Sequence, residues 1–507
     1  MPPWGRDIKP DTAPSEQTTH EENPTATPSS ERREAVNDAL DSVSGDQQGG
    51  IAEASESSMH PLARISAQFI HRVDEMRQAA KISVPAVAEH MKAELEKAAK
   101  ALEKYTIKKN QNNLTLRLPE DVRERANVKA ALDTIERMRD LRMVKIVQRS
   151  LFIGLFSEFD AFIGELLKTI YERQPDLLKS IRREVSLPEL LQFESLDAIK
   201  KDMLEKEIDS FRRESYVEQF TLLENKFSLK TLKKFAEWPE FVEIGQRRNL
   251  MTHNDGIVSE QYTAICKREG SISGSEVKVG ETLSVDPKYY LRACHVLSLV
   301  AFMLVYTLWR KIFPGEAETA NHEIYQAVYD ALDRKHWKLA TRMGEFSLNP
   351  EIIKDASDLN VRIRHINLAI AYKQQKRQDD VLRVLESCDW SASLRDFKLA
   401  VAILKDDFSK AADLMIQIGR TGELVQQSSY HDWPLFNEFR HREEFLKSYK
   451  EIYGSDFNGT QEGEPDALIV QNPRIELPEP TNLEPVSPAT IASEETSTRV
   501  ETTRPES

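Results

Sequence analysis

Leu151 to Ile170 reads LFIGLFSEFDAFIGELLKTI, and this stretch decides the fold. It is apolar on most faces, so a helix carrying it must be wrapped by other elements rather than lie half in water. Ser157, Glu158, Asp160 and Glu165 are its few polar residues. Working outward, Val122 to Leu141 is amphipathic and strongly charged, and a helix is expected from about 196 to 212. The pattern continues through 214–224 and 229–236. Phe241 to Leu250 is a further helix, running into RRNLMTHNDG, where Asn254-Asp255-Gly256 is a natural stop. Asp286-Pro287 opens a last long helix to residue 312. Its core, Val296 to Trp309, is apolar but too short to span a bilayer, so it reads as a buried helix. Upstream, 59–112 places Ile65, Phe69, Ile70, Val73 and Met76, then Met91, Leu95, Ala98 and Leu102, at helical spacing. One or two amphipathic helices are expected there, with Pro85 breaking or starting one. Lys108 to Asn113 reads as a linker. Within 257–286, Val277, Val279, Leu283 and Val285 nearly alternate after a Gly/Ser-rich turn, which permits a small hairpin.

Beyond Phe313-Pro314-Gly315 the helices are organised differently. Leu368 to Tyr372 (LAIAY) is echoed by Leu399 to Ile403 (LAVAI), and each block precedes a charged turn and a second helix. A weaker copy is Tyr325 to Leu332, then Trp337 to Met343. Such pairs point to a short α-solenoid. The stretch 320–453 resembles tetratricopeptide-like repeats.

The chain has 507 residues and a formal charge of −14. Taken whole, that charge argues against nucleic acid. Its distribution changes the reading. Residues 1–58 hold 12 acidic and 4 basic side chains, and 459–507 hold 10 and 3. Both are poor in apolar residues and read as disordered acidic tails. The part between them is nearly neutral. Three Cys exclude a disulfide scaffold, and Cys266, Cys294 and Cys388 lack the close spacing of a zinc site. No Walker loop, H-E-x-x-H or G-x-S-x-G occurs. His60, His71 and His90 are scattered and expected at the surface. No signal peptide opens the chain, and a cytoplasmic protein is expected.

One compact polar cluster remains: Arg247, Arg248, Asn249, Thr252 and His253. Five residues on a helix turn about 500°, so Arg248 and His253 sit roughly 140° apart. They meet one ligand only if the helix ends or bends between them, or if two copies face each other. At these residues the sequence resembles the HEPN domains. The resemblance rests on Arg-x4-His with Asn after the Arg (Arg248, Asn249, His253), on the preceding helix Trp238 to Gln246, and on the trailing Asn254, Gly256, Val258 and Tyr262. Phe156 to Ile163 is similar to the family's aromatic–acidic first helix, with Asp160 at the acidic position and Glu158 as the alternative.

The resemblance implies an all-α bundle over 115–315 that dimerises, binds RNA and cuts it without a metal or other cofactor. It implies Arg248, His253, Asn249 and Asp160 as catalytic, with Arg247 and Arg248 contacting RNA, and a role in defence or stress response. The chemistry is compatible: a neutral His takes a proton from a ribose 2′-OH, and Arg clamps the phosphate. Two other readings stay open. Arg248 and His253 also suit the negative end of a helix, and both helical modules can be non-catalytic scaffolds with protein partners.

Overall fold

The computed structural model describes residues 59–109, 114–140, 142–182 and 184–457, and the protein is all-α apart from one two-stranded hairpin among them. The acidic tails, and residues 110–113 of the expected linker, lie outside the described residues. Residues 59–454 belong to one compact unit.

The apolar stretch Leu151 to Ile170 lies in α3 (Met143–Arg173). Before it come α1 (Pro61–Glu103), strands β1 (Thr106–Lys109) and β2 (Leu114–Leu116), and α2 (Val122–Asp140). After it come α4 (Leu196–Arg213), α5 (Tyr216–Lys226), α6 (Trp238–His253), α7 (Glu260–Arg268) and α8 (Pro287–Ile312). Short polar side chains set the starts: Ser195, Ser215, Ser259 and Asp286 each accept a backbone N–H from the first turn they precede. α3 and α8 form the centre. Phe152, Phe156, Phe159 and Phe162 of α3 are wholly buried, and so is most of α8. Each such aromatic contributes about 1.5–3 kcal/mol by leaving water. α8 is long and apolar enough to cross a membrane, yet 78% of its most apolar window is buried in the fold.

Four expectations are corrected. The lead-in is not a separate element, because α1 packs along α3 and α8. Phe69 meets Phe159 and Phe162, and Leu62, Ile65 and Val73 are buried beside it. Pro85 does not end this helix. Packing on both sides of it, by Ala80 and Val84 and then by Ala98 and Leu102 against Val128 and Ala131, overrides its local preference. The hairpin pairs Thr106–Lys109 with Leu114–Leu116, on either side of residues 110–113 of the expected linker. Over 257–286 the backbone makes α7 and one isolated bridge, Ile257 with Thr282. Finally, His60 is not at the surface: its ring stacks on Trp309 with centroids 3.9 Å apart.

Downstream, α9 (Ala317–Asp333) pairs with α10 (Trp337–Ser347), α11 (Asp358–Gln374) with α12 (Gln378–Glu386), and α13 (Arg395–Leu404) with α14 (Phe408–Ile418). α9 also packs on α11, and α11 on α13. The turns repeat in detail. Lys335, Lys376 and Asp406 hold φ of 59°, 60° and 61°. The following amides, of His336, Arg377 and Asp407, donate to Ala331, Tyr372 and Ala402. This is one helix-ending motif used three times. The echoed blocks 368–372 and 399–403 both lie towards the ends of α11 and α13 and are largely buried, but the shared turn aligns Tyr372 with Ala402, so the echo is one residue out of register with the structural repeat. The pairs join the bundle through α8, where Phe302 meets Phe346, and through Arg342, which pairs with Glu237 at 2.7 Å.

Candidate functional site

α6 brings its two arginines into different surroundings. Pro239 lies in its first turn, and it runs unbroken to His253. Its end is fixed by Gly256, whose amide returns to Leu250 at φ +80°. A Cβ there would lie 2.8 Å from the Leu283 carbonyl, so only glycine lets the chain 277–285 close over this end. That chain bonds back through Leu283 N to Gly256 O and Val258 N to Glu281 O, both 2.9 Å. Arg149 of α3 pairs with Asp255. His253 is thus presented at the last residue of a clamped helix.

An open cleft of about 560 Å³ runs beside this end. Asp160, Arg248, Asn249 and His253 all line it, together with the α4–α5 junction (Arg212 to Tyr216) and Ser259, Gln261 and Tyr262 near the start of α7. α6 does not end between Arg248 and His253, yet both residues line this cleft. Of the two acidic candidates, Asp160 lies here, whereas Glu158 pairs with Arg72.

Asp160 accepts from the Tyr216 hydroxyl at 2.8 Å and from Arg248 Nη2 at 3.3 Å. Burial pushes its carboxyl above the usual range, against the opposing pull of the Tyr216 hydrogen bond and Arg248. The Tyr216 phenol is raised well above its ordinary value, by burial first and then by Asp160. Arg248 Nη1 donates to Asn249 Oδ1 at 3.1 Å, so Asn249 holds the arginine rather than the histidine. Arg248 Nε is buried with no hydrogen-bond partner. The His253 side chain is exposed and makes no hydrogen bond or ion pair among the described residues.

Arg247 departs from its expected RNA contact and does not line the cleft. Its guanidinium lies 3.9 Å from the Tyr289 ring centroid, pairs with Glu243 at 2.8 Å and donates to the Ser284 carbonyl at 3.1 Å. Burial works to lower its pKa, but Tyr289 and Glu243 outweigh that and hold it raised. Glu243, almost fully buried, also accepts from Tyr262 (2.6 Å) and Tyr289 (2.7 Å). Beside it, burial and then the Glu243 charge push the Cys266 thiol up to about 12, so it is not a ready nucleophile.

Two residues of the cleft escaped the sequence reading. Tyr216 supplies the second bond to Asp160. Its signal was Gly245, unexpected inside a helix: a Cβ there would lie 2.9 Å from the Tyr216 ring, so the glycine lets the ring lie against α6. Arg213 also lines the cleft, exposed and without an ion pair among the described residues, while its neighbour Arg212 is held by Asp209. No family model, no curated protein and no solved structure matches the chain.

Proposed function

We propose that this cleft binds RNA and cleaves it as a HEPN-like, metal-independent endoribonuclease. The observation that carries the reading is the meeting of Asp160, Arg248, Asn249 and an unengaged His253 on one open cleft. In this reading His253 removes the proton of a ribose 2′-OH. The oxygen attacks the adjacent phosphorus, the 5′-oxygen leaves with a proton drawn from solvent, and a 2′,3′-cyclic phosphate remains. Arg248 stabilises the charge that grows on the phosphoryl oxygens. Its donors are pre-aimed by Asp160 and Asn249, so little reorganisation is needed. Arg213 takes the place first assigned to Arg247 as the contact to a neighbouring phosphate.

The RNA is the substrate, two copies act as a dimer, and the stacked helix pairs serve as a tetratricopeptide-like platform for a protein partner. Three free cysteines suit a cytoplasmic setting, and a defence or stress role follows from the family resemblance. The test is single-stranded RNA with full-length protein in EDTA. Wild type is expected to leave cyclic-phosphate ends, and His253→Ala to cut about 10²–10⁴-fold more slowly. Equal cleavage by both, or none by wild type, refutes the nuclease. Light scattering reports the dimer.

One observation favours a second reading, a non-catalytic scaffold: Arg248 is already paired with a carboxylate. It predicts that Arg248→Ala lowers stability or partner binding and leaves RNA untouched.

A further inference from the structure

A second cleft, of about 780 Å³, lies between α1, α8 and the α9–α10 turn, and shares no lining residue with the Asp160–His253 cleft. Its charge is one-sided. Lys81 of α1, Lys288 in the first turn of α8, and Lys335 and Lys338 around the start of α10 all line it. All four are exposed, and none makes an ion pair among the described residues. The other cations are spoken for: Arg77 pairs with Asp74, Arg292 with Glu240, and Arg334 reaches the His71 ring. Among the described residues, Asp74 is the only carboxylate lining the cleft. Burial and then the Arg292 charge hold His295 at about 4, so it is neutral near pH 7 and adds no charge.

Four exposed lysines without ion pairs among the described residues leave the concavity with an excess of positive charge, which an anion would neutralise. The floor is different in kind. Val73, Leu291 and Leu339 are apolar, and the half-buried Trp337 offers an aromatic surface. A basic rim over an apolar and aromatic floor, in a volume typical of small-molecule sites, suits a ring joined to several phosphates. A long nucleic acid is less well suited. The adjoining pocket, which shares Lys335 and Trp337, sets Asp333 and Asp432 against Lys335 and Arg440, so the one-sided excess of basic residues stops there. A polymer backbone continuing past the cleft would meet carboxylates.

We propose that this cleft is a binding site for a nucleoside polyphosphate, with the lysines taking the phosphates and Trp337 stacking on the base. It is independent of the nuclease reading. Its position between the bundle and the first helix pair makes it a place where such a ligand ties the two together.

The test is calorimetric titration of full-length protein at low salt with ATP, inorganic triphosphate and a single-stranded RNA. ATP is expected to bind saturably, one per chain, and more tightly than triphosphate. Lys81→Glu/Lys338→Glu should weaken ATP by at least about tenfold, equivalent to about 1.4 kcal/mol. Lys335→Gly relieves a left-handed backbone, so it should keep the fold while still lowering affinity. Arg248→Ala and His253→Ala should bind ATP as wild type does. No saturable ATP binding overturns the proposal, as does affinity unchanged in the double charge reversal with the fold intact by circular dichroism. Loss of ATP binding in Arg248→Ala would put the ligand in the other cleft. Equal affinity for ATP and triphosphate removes the base, and binding of RNA alone makes the surface one for polymers. Each of these overturns it too.

Discussion

Arg247 and Arg248 are neighbours on one helix and live in opposite conditions. Arg247 is closed in: a buried carboxylate, a backbone carbonyl and an aromatic face satisfy it, and its carboxylate is satisfied in turn by two tyrosines. Arg248 is held at one edge by Asp160 and Asn249, keeps one buried nitrogen unpaired, and faces an open cleft. A complete polar network stabilises the native state chiefly because breaking it is so costly. An incomplete one at a cleft leaves interaction energy for a ligand. The two residues should therefore fail differently when removed.

The largest effect is expected on the closed side. Glu243→Ala takes the shared carboxylate from Arg247, the buried Tyr262 phenol and the half-buried Tyr289 phenol, and should cost about 3–5 kcal/mol in denaturant unfolding. A loss below about 1 kcal/mol would mean that the network is not a stability device. Next comes Arg248→Ala. RNA cleavage should fall about 10²–10³-fold, as when a transition-state donor is lost, while the unfolding midpoint moves by less than the Glu243→Ala shift. Arg247→Ala should show the reverse: a clear loss of stability, with activity per folded molecule retained. If both arginines behave alike, the contrast between the two faces of α6 is wrong.

A smaller effect tests what governs Asp160. Burial raises its folded pKa above the unfolded value, despite Arg248. Between an unfolded value of about 3.9 and the raised folded one, the native state holds more protons than the unfolded chain. Stability from this group is then lost as pH rises through that window. Asp160→Asn cannot ionise, so it should gain relative to wild type as pH rises from about 4. Paired unfolding curves over that range check it. A relative loss by the Asn variant would show that the Arg248 ion pair, not burial, sets the balance.

Much of this was legible in the residues, for identifiable reasons. The apolar runs of α3 and α8 and the Asn254-Asp255-Gly256 stop are local signals, and the helices formed where those signals put them. Asp160 stood out as a charge inside an apolar run, and it lines the cleft with Arg248, Asn249 and His253. What stayed hidden depended on partners far along the chain. Nothing local tells Arg247 from Arg248, since their difference comes from Tyr289 and Ser284 on one side and Asp160 on the other. Pro85 argues for a break, and only packing on both sides of it keeps α1 whole. The repeated blocks of α11 and α13 were visible, but the shared left-handed turn residue was not, because Lys and Asp occupy a place where glycine is the usual cue.

The smallest expected effect is at Tyr216. Tyr216→Phe keeps the ring among Phe156, Phe159 and Phe241 and removes only the hydroxyl that donates to Asp160. The stability cost should be about 1 kcal/mol, typical of one hydrogen bond. Its more telling consequence is electrostatic. That hydrogen bond pulls the Asp160 pKa down, so its loss should raise the value further and widen the window over which stability falls with pH. Arg248 would then be left with a carboxyl that ionises later and with Asn249 as its remaining neutral partner. If the pH dependence of Tyr216→Phe instead matches wild type, the phenol is only packing, and Asp160 is set by burial and Arg248 alone.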